Sequence, residues 1–304
     1  MLPTRNGSIR LFRLLGIDVY LHWSWLLVAA FMIQDRMHRY HSPIWGVAEY
    51  LTLFVIVLMH EFGHALACRQ TGGQANQIVL WPLGGVAYVA PPPRPGATLW
   101  SIAAGPLVNL ALEPFLTLLF FLAHAADWSN NLPDLFLFIE TIWLMNTFLF
   151  LFNMLPVYPL DGGQILRSLL WYGFGRARSL MIATGIGLVG TAGFLLVALW
   201  ARSIWLGILS AFVLMNCWQG WVTSRALARI AQAPRRQEFA CRKCHAAPPL
   251  GAFWGCARCR GSFDMFAAPG ICPHCGTAYA GAGCFECGEI APFADWALPA
   301  SLRS

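Results

Sequence analysis

The chain has 304 residues, 58% hydrophobic and only 11% charged, with 14 Trp and 21 Phe. Soluble globular chains carry about 25% charged residues, so an ordinary soluble domain is excluded, and the long apolar blocks predict a polytopic membrane protein. The net charge of +6 then reports orientation in the membrane before it suggests nucleic-acid binding.

A crossing needs about 20 mostly apolar residues, and six segments qualify. Residues 17–33 follow Arg5, Arg10 and Arg13 and carry Asp18 and His22 near their start. No small-residue cleavage site follows them, so they read as an uncleaved span and not as a signal peptide. Residues 50–68 hold the stretch "VLMHEFGHAL". Residues 98–123 include Glu113, and 135–160 include Glu140, while 179–200 and 203–224 have no charge. Between the second and third spans, the β-rich runs 77–81 and 86–89 flank Gly84 and Gly85 and read as a hairpin with a tight turn. A loop packed beneath the bundle is the plainer alternative. Six spans put both termini on one side. Twelve arginines (Arg5, Arg10, Arg13, Arg69, Arg94, Arg167, Arg176, Arg178, Arg225, Arg229, Arg235 and Arg236) fall on that side, against Arg36, Arg39 and Arg202 on the other. Basic loops mark the cytoplasm, so both ends are expected to be cytoplasmic in the cell (inner) membrane, with HEFGH near the cytoplasmic face.

On a helix, residues i and i+4 share a face, so His60 and His64 point the same way and offer neutral imidazoles to Zn²⁺. Glu61 lies about 100° round the helix, placed to act on water. HExxH alone is a moderate signal, but ionisable residues within a membrane span mark a functional site by default. Catalytic zinc usually takes three protein ligands, and the third is sought in "NMLPVYPLDGGQ", residues 153–164. There Pro156 and Pro159 break the fourth span, a break tolerated where it lines a cavity. Asp161 follows the break. It reads either as a ligand or as an N-cap of the next helix. Gly105, Pro106 and Asn109 read as helix packing, Glu113 as a hydrogen-bond partner beside Pro114, Glu140 as a neutral group paired across helices, and His22 as an interfacial residue.

HEFGH together with N-x-x-P-x-x-P-L-D-G-G resembles the site-2 proteases, intramembrane zinc metalloproteases that cut transmembrane substrates. "PLGGVA" (82–87) and "AAGPLVNL" (103–110) are similar to that family as well. The resemblance spans roughly residues 10–225, and the absence of a PDZ-like insertion matches the compact branch that includes the sporulation-factor proteases. It implies His60, His64 and Asp161 as zinc ligands, Glu61 as acid/base, and Asn153 lining the site. A helical substrate must unwind before it is cut, and a strand edge is the natural acceptor. The 77–89 hairpin with Gly84 and Gly85 is the candidate. A catalytically silent zinc-binding chaperone and a metal transporter are the rival readings.

From about residue 237 the composition changes. Four C-x-x-C pairs, Cys241/Cys244, Cys256/Cys259, Cys272/Cys275 and Cys284/Cys287, offer eight thiolates, enough for two structural zinc ions. A reducing cytoplasm argues against a disulfide framework. Pairing of the first knuckle with the second and the third with the fourth is the expectation, with His245 and His274 as spare donors. The expected partner of these ribbons is protein; nucleic acid is not. The expected whole is an all-α polytopic membrane protein of about six transmembrane helices with a membrane-associated β-hairpin, plus a small cytoplasmic double zinc ribbon. It divides into a core (1–230), a linker (231–237) and a ribbon domain (238–304), with three zinc ions, one catalytic and two structural.

Overall fold

The computed structural model describes residues 7–36, 39–81, 84–267 and 270–297. In chain order the membrane part comprises β1 (Ser8–Leu14), β2 (Ile17–His22), α1 (Ser24–Arg36), α2 (Pro43–Gln70), β3 (Gln74–Trp81), β4 (Gly84–Ala90), α3 (Pro95–Ala125), the single turn α4 (Trp128–Asn131), α5 (Pro133–Asn153), α6 (Asp161–Trp200) and α7 (Ile204–Gln232). Among the described residues, α2, α3, α5, α6 and α7 are long and apolar enough to cross a membrane. Their outer faces carry exposed Phe115, Leu118, Phe121, Phe148, Val189 and Leu196, as lipid contact requires.

The expected first span is not one helix. Residues 17–22 form β2, in which Ile17 and Val19 are buried and Asp18 and Tyr20 are only half-buried. This period of two is that of a strand with one covered face. Asp18 turns outward to Arg10 at 2.6 Å. The helix that follows, α1, has 13 residues, about 20 Å of length against a hydrocarbon core of about 30 Å.

The expected hairpin is half of a larger sheet. Its strand order is β1-β2-β3-β4, antiparallel at both ends and parallel between β2 and β3. A parallel pair needs a long crossover, supplied here by α1 and α2. Gly84 and Gly85 do not form the turn. They pair with Trp81 and Leu80 inside β4, so the connection falls at residues 82–83, outside the described residues, as does the start of the 82–87 motif.

The 40 residues of α6 would extend about 60 Å if unbroken. Gly175, at φ 74°, ψ 170°, divides them. The end of α7 returns to this break, so that Leu227–Gln232 lie beside Phe174–Arg178. Upstream, the helices stop at Asn153 and restart at Asp161, where Pro156 and Pro159 remove backbone donors. A Cβ at Gly162 would collide with the carbonyls of Met154 and Leu155, and one at Gly163 with the backbone of Val157 and Tyr158. The two glycines therefore let α6 start tightly against the broken segment.

The sheet and the C-terminal part cap the same end of the bundle. Arg69, in the last turn of α2, donates to the carbonyls of Leu15 and Gly16. Gly288 lies against Pro93, and Arg176 reaches the Phe285 carbonyl at 3.4 Å. The C-terminal part has two small hairpins, β5 (Trp254–Gly255) with β6 (Ser262–Phe263) and β7 (Gly281–Gly283) with β8 (Ile290–Pro292). They enclose a core that includes Trp254, Phe263, Phe266 and Trp296.

Candidate metal centres

His60 and His64, 4% and 6% exposed, share one face of α2, with Glu61, 6% exposed, round the helix from them. Asp161 opens α6 opposite them. His60 Nε2 lies 3.1 Å from Asp161 Oδ2 and 3.1 Å from His64 Nε2, and His64 Nε2 lies 3.4 Å from the same carboxylate oxygen. The far side of each ring shows what these three atoms are. His64 Nδ1 faces the Ser101 carbonyl at 2.9 Å, and His60 Nδ1 faces Asn109 Oδ1 at 2.6 Å. Both partners are acceptors, so both protons sit on Nδ1 and both Nε2 lone pairs converge with a carboxylate. Three acceptors without a donor between them fit a cation. Tetrahedral zinc with Zn–N near 2.05 Å places its ligand atoms about 3.3 Å apart, which is the spacing found.

Space for an ion depends on two glycines. A Cβ at Gly105 on α3 would fall on the Nε2 atoms of His64 and His60. A Cβ at Gly85 on β4 would fall on the Glu61 carboxyl group. Glu61 itself accepts from the Ala87 N–H of β4 at 2.7 Å, so the edge strand and the carboxylate meet directly. Gly84 has open space where its Cβ would be, and Asn153 is half-buried at the C-terminal end of α5.

Gly105 and Asn109, expected only to pack helices, lie against the two histidines, with Asn146 behind them. Asn109 and Asn146 are fully buried and bonded to each other, Asn109 Nδ2 donating to Asn146 Oδ1 at 2.9 Å. The available signal was the Gly105–Asn109 spacing of four, which puts a gap and an amide on one helix face.

In the C-terminal part, the eight thiols form two groups, Cys241/Cys244/Cys284/Cys287 and Cys256/Cys259/Cys272/Cys275. This corrects the expected pairing: the first knuckle joins the fourth, and the second joins the third. The reason is in the backbone. Phe239 bridges Ala297 and Ala240 N donates to the Trp296 carbonyl, which brings the start of the domain to its end and nests one site within the other. Within each group the Sγ distances from one knuckle to the other are 3.5 and 3.6 Å in the first and 3.5 and 3.7 Å in the second, too long for disulfides and close to the edge of about 3.8 Å for tetrahedral zinc–thiolate. Each knuckle repeats one bond pattern, the residue after its second Cys donating back to the carbonyl of its first. That residue has positive φ in all four: His245, Arg260, Gly276 and Gly288. The N–H of Cys259 and the Tyr279 hydroxyl pull the Cys256 thiol down to about 5, favouring the thiolate a metal needs. Neither His245 nor His274 belongs to either group.

Among the described residues, these features are those of a helical membrane protein with three convergent candidate ligands in its bundle. Residues 48–142 and 121–197 match the model of peptidase family M50. Over 209 residues the chain is 35% identical to a zinc metalloprotease of Methanocaldococcus jannaschii, covering 68% of this chain and 59% of that one. It is 31% identical over 153 residues to YwhC of Bacillus subtilis, covering 40% of this chain and 68% of that one. The solved structure of a site-2 protease from Methanocaldococcus jannaschii aligns with a TM-score of 0.51 at 32% identity, covering 70% of this chain and 95% of that one. The chain belongs to peptidase family M50. It spans about three fifths of the length of the first curated relatives it matches.

Proposed function

We propose that the protein is an intramembrane zinc endopeptidase that hydrolyses peptide bonds within or near transmembrane segments of membrane-protein substrates. The observation that carries this is the convergence of His60 Nε2, His64 Nε2 and Asp161 Oδ2 with the Glu61 carboxylate alongside, inside a bundle of membrane-length helices. His60, His64 and Asp161 would hold zinc, which supplies Lewis acidity toward water and the scissile carbonyl. Glu61 takes the proton from water and returns it to the leaving amine. Asn153 and the Gly84–Gly85 segment line the substrate's path, and an unwound substrate adds to β4, the edge strand of the sheet. Such a strand competes with Glu61 for the Ala87 N–H. The substrate is a transmembrane protein, with the bilayer as the solvent of the core. A silent zinc chaperone has no need of Glu61, and a transporter needs His and Asp along a path, whereas here they gather at one place.

The C-terminal residues 238–304 act as a double zinc ribbon with two structural ions and a protein partner, joined through 231–237 to the core at 1–230. The arginines near the sheet and ribbon end of the bundle support a cytoplasmic position for that end, for both termini and for the centre. The test is Glu61→Gln. Cleavage of a transmembrane substrate in detergent should fall by about 10²–10⁴-fold, the range for a lost general base, with core zinc unchanged. Surviving turnover, or loss of the metal, would contradict the assignment.

A further inference from the structure

Behind His60 a chain of hydrogen bonds runs across two helices to a carboxyl group. Asn109 Oδ1 accepts from His60 Nδ1 at 2.6 Å, and Asn109 Nδ2 donates to Asn146 Oδ1 at 2.9 Å. Asn146 Nδ2 donates to Glu113 Oε2 at 2.7 Å and to the Asn109 main-chain carbonyl at 3.1 Å. The other Glu113 oxygen accepts from the Thr147 hydroxyl at 2.7 Å. The Asn109 main-chain carbonyl only accepts, so the Asn146 amide must present its NH₂ to it, and with it to the adjacent Glu113 oxygen, and its own oxygen to Asn109. Asn109 must then present its own NH₂ to Asn146 and its oxygen to the ring. His60 is left as the Nδ1–H tautomer, with its Nε2 lone pair facing Asp161 and His64.

We propose that Glu113, Asn146 and Asn109 are positioning residues: together they set the tautomer and ring orientation of His60 and thereby the metal affinity of the centre. This rests on the reading of the centre as a zinc site. It also gives a reason for the acid on α3. A carboxyl group within an apolar helix is expensive and needs partners, and both Glu113 oxygens have them. His64 takes its orientation from a single main-chain carbonyl, that of Ser101, which no side-chain replacement removes, so the side-chain chain acts on His60 alone.

The test is zinc affinity of the full-length protein, measured by titrating a chelator against retained zinc. His60→Ala/His64→Ala defines the ions held outside the core, and melting curves are recorded for each variant. Loss of an outer partner typically weakens metal binding by about 10–100-fold. Asn109→Leu should fall in that range for the core ion, and Glu113→Gln, which can also donate, should weaken it by about threefold or more. In the Asn109→Leu background, Glu113→Gln should add nothing, because its path to His60 is already cut. Core affinity unchanged in Asn109→Leu, or an equal effect of Glu113→Gln in both backgrounds, overturns the proposal. If Asn109→Leu does not fold, Glu113→Gln alone decides, and unchanged affinity overturns it. Failure of the underlying zinc reading looks different: His60→Ala/His64→Ala would then retain as much zinc as the intact chain.

Discussion

The bundle centre and the two thiol clusters differ in one respect that decides their chemistry. The bundle offers three ligand atoms, from residues 101 positions apart in the chain, with Glu61 beside them. Each cluster offers four thiols from two short knuckles. A three-ligand zinc site keeps a position for water or substrate, whereas a four-thiolate site is closed and structural. The bundle group is assembled by long helices and a sheet. The thiol clusters sit in a part whose strands are two or three residues long, the kind of small structure that commonly depends on metal to fold.

Asp161 offers the largest break in this contrast. Asp161→Ala should remove the core ion and all turnover while the thiol clusters keep theirs, as read by metal analysis and cleavage. Asp161→Ser separates the roles of ligand and cap, since Ser caps a helix well. Full zinc and full activity in that variant would make Asp161 a cap only.

Cys256→Ser is the converse. It should release one ion from the ribbon domain and destabilise that domain, with the core ion retained. Because Cys256 shares a cluster with Cys272 and Cys275 and not with Cys284, Cys284→Ser should release a different ion. Zinc counts on both single variants and the double variant check this: the double should lose two. Loss of only one in the double variant would return the pairing to another arrangement.

The smallest effect sharpens the account of the knuckles. His245 and Arg260 hold φ values of 57° and 60° where the other two knuckles have glycine. A side chain there costs about 1 kcal/mol or more. His245→Gly and Arg260→Gly should each leave zinc content unchanged and stabilise the ribbon domain by about 1 kcal/mol, read as a higher unfolding midpoint. A lower midpoint would mean that the side chains stabilise more than the backbone strain costs.

How far the sequence revealed all this varies with the range of the interactions. The convergence of His60 and His64 on α2 was legible because the two are one helical turn apart. Asp161 was legible because prolines break the chain just before it. Asn146 was not, since its partners lie 33 and 37 residues away on another helix. The strand at 17–22 was hidden because its alternation Ile17, Val19, Leu21 runs without a gap into the apolar residues of α1. Its parallel partner, β3, lies beyond two helices. The knuckle pairing was illegible in principle, as any two C-x-x-C pairs supply four thiolates, and only the closing of residues 239–240 on 296–297 selects the nested arrangement.

Zinc content of the intact chain beside His60→Ala/His64→Ala, with cleavage assayed on the same preparations, tests most directly the claim that one chain holds one open and two closed centres. Three ions and turnover are predicted for the intact chain, and two ions without turnover for the double variant. Two ions in an intact chain that still cleaves, or three in a double variant, would contradict it.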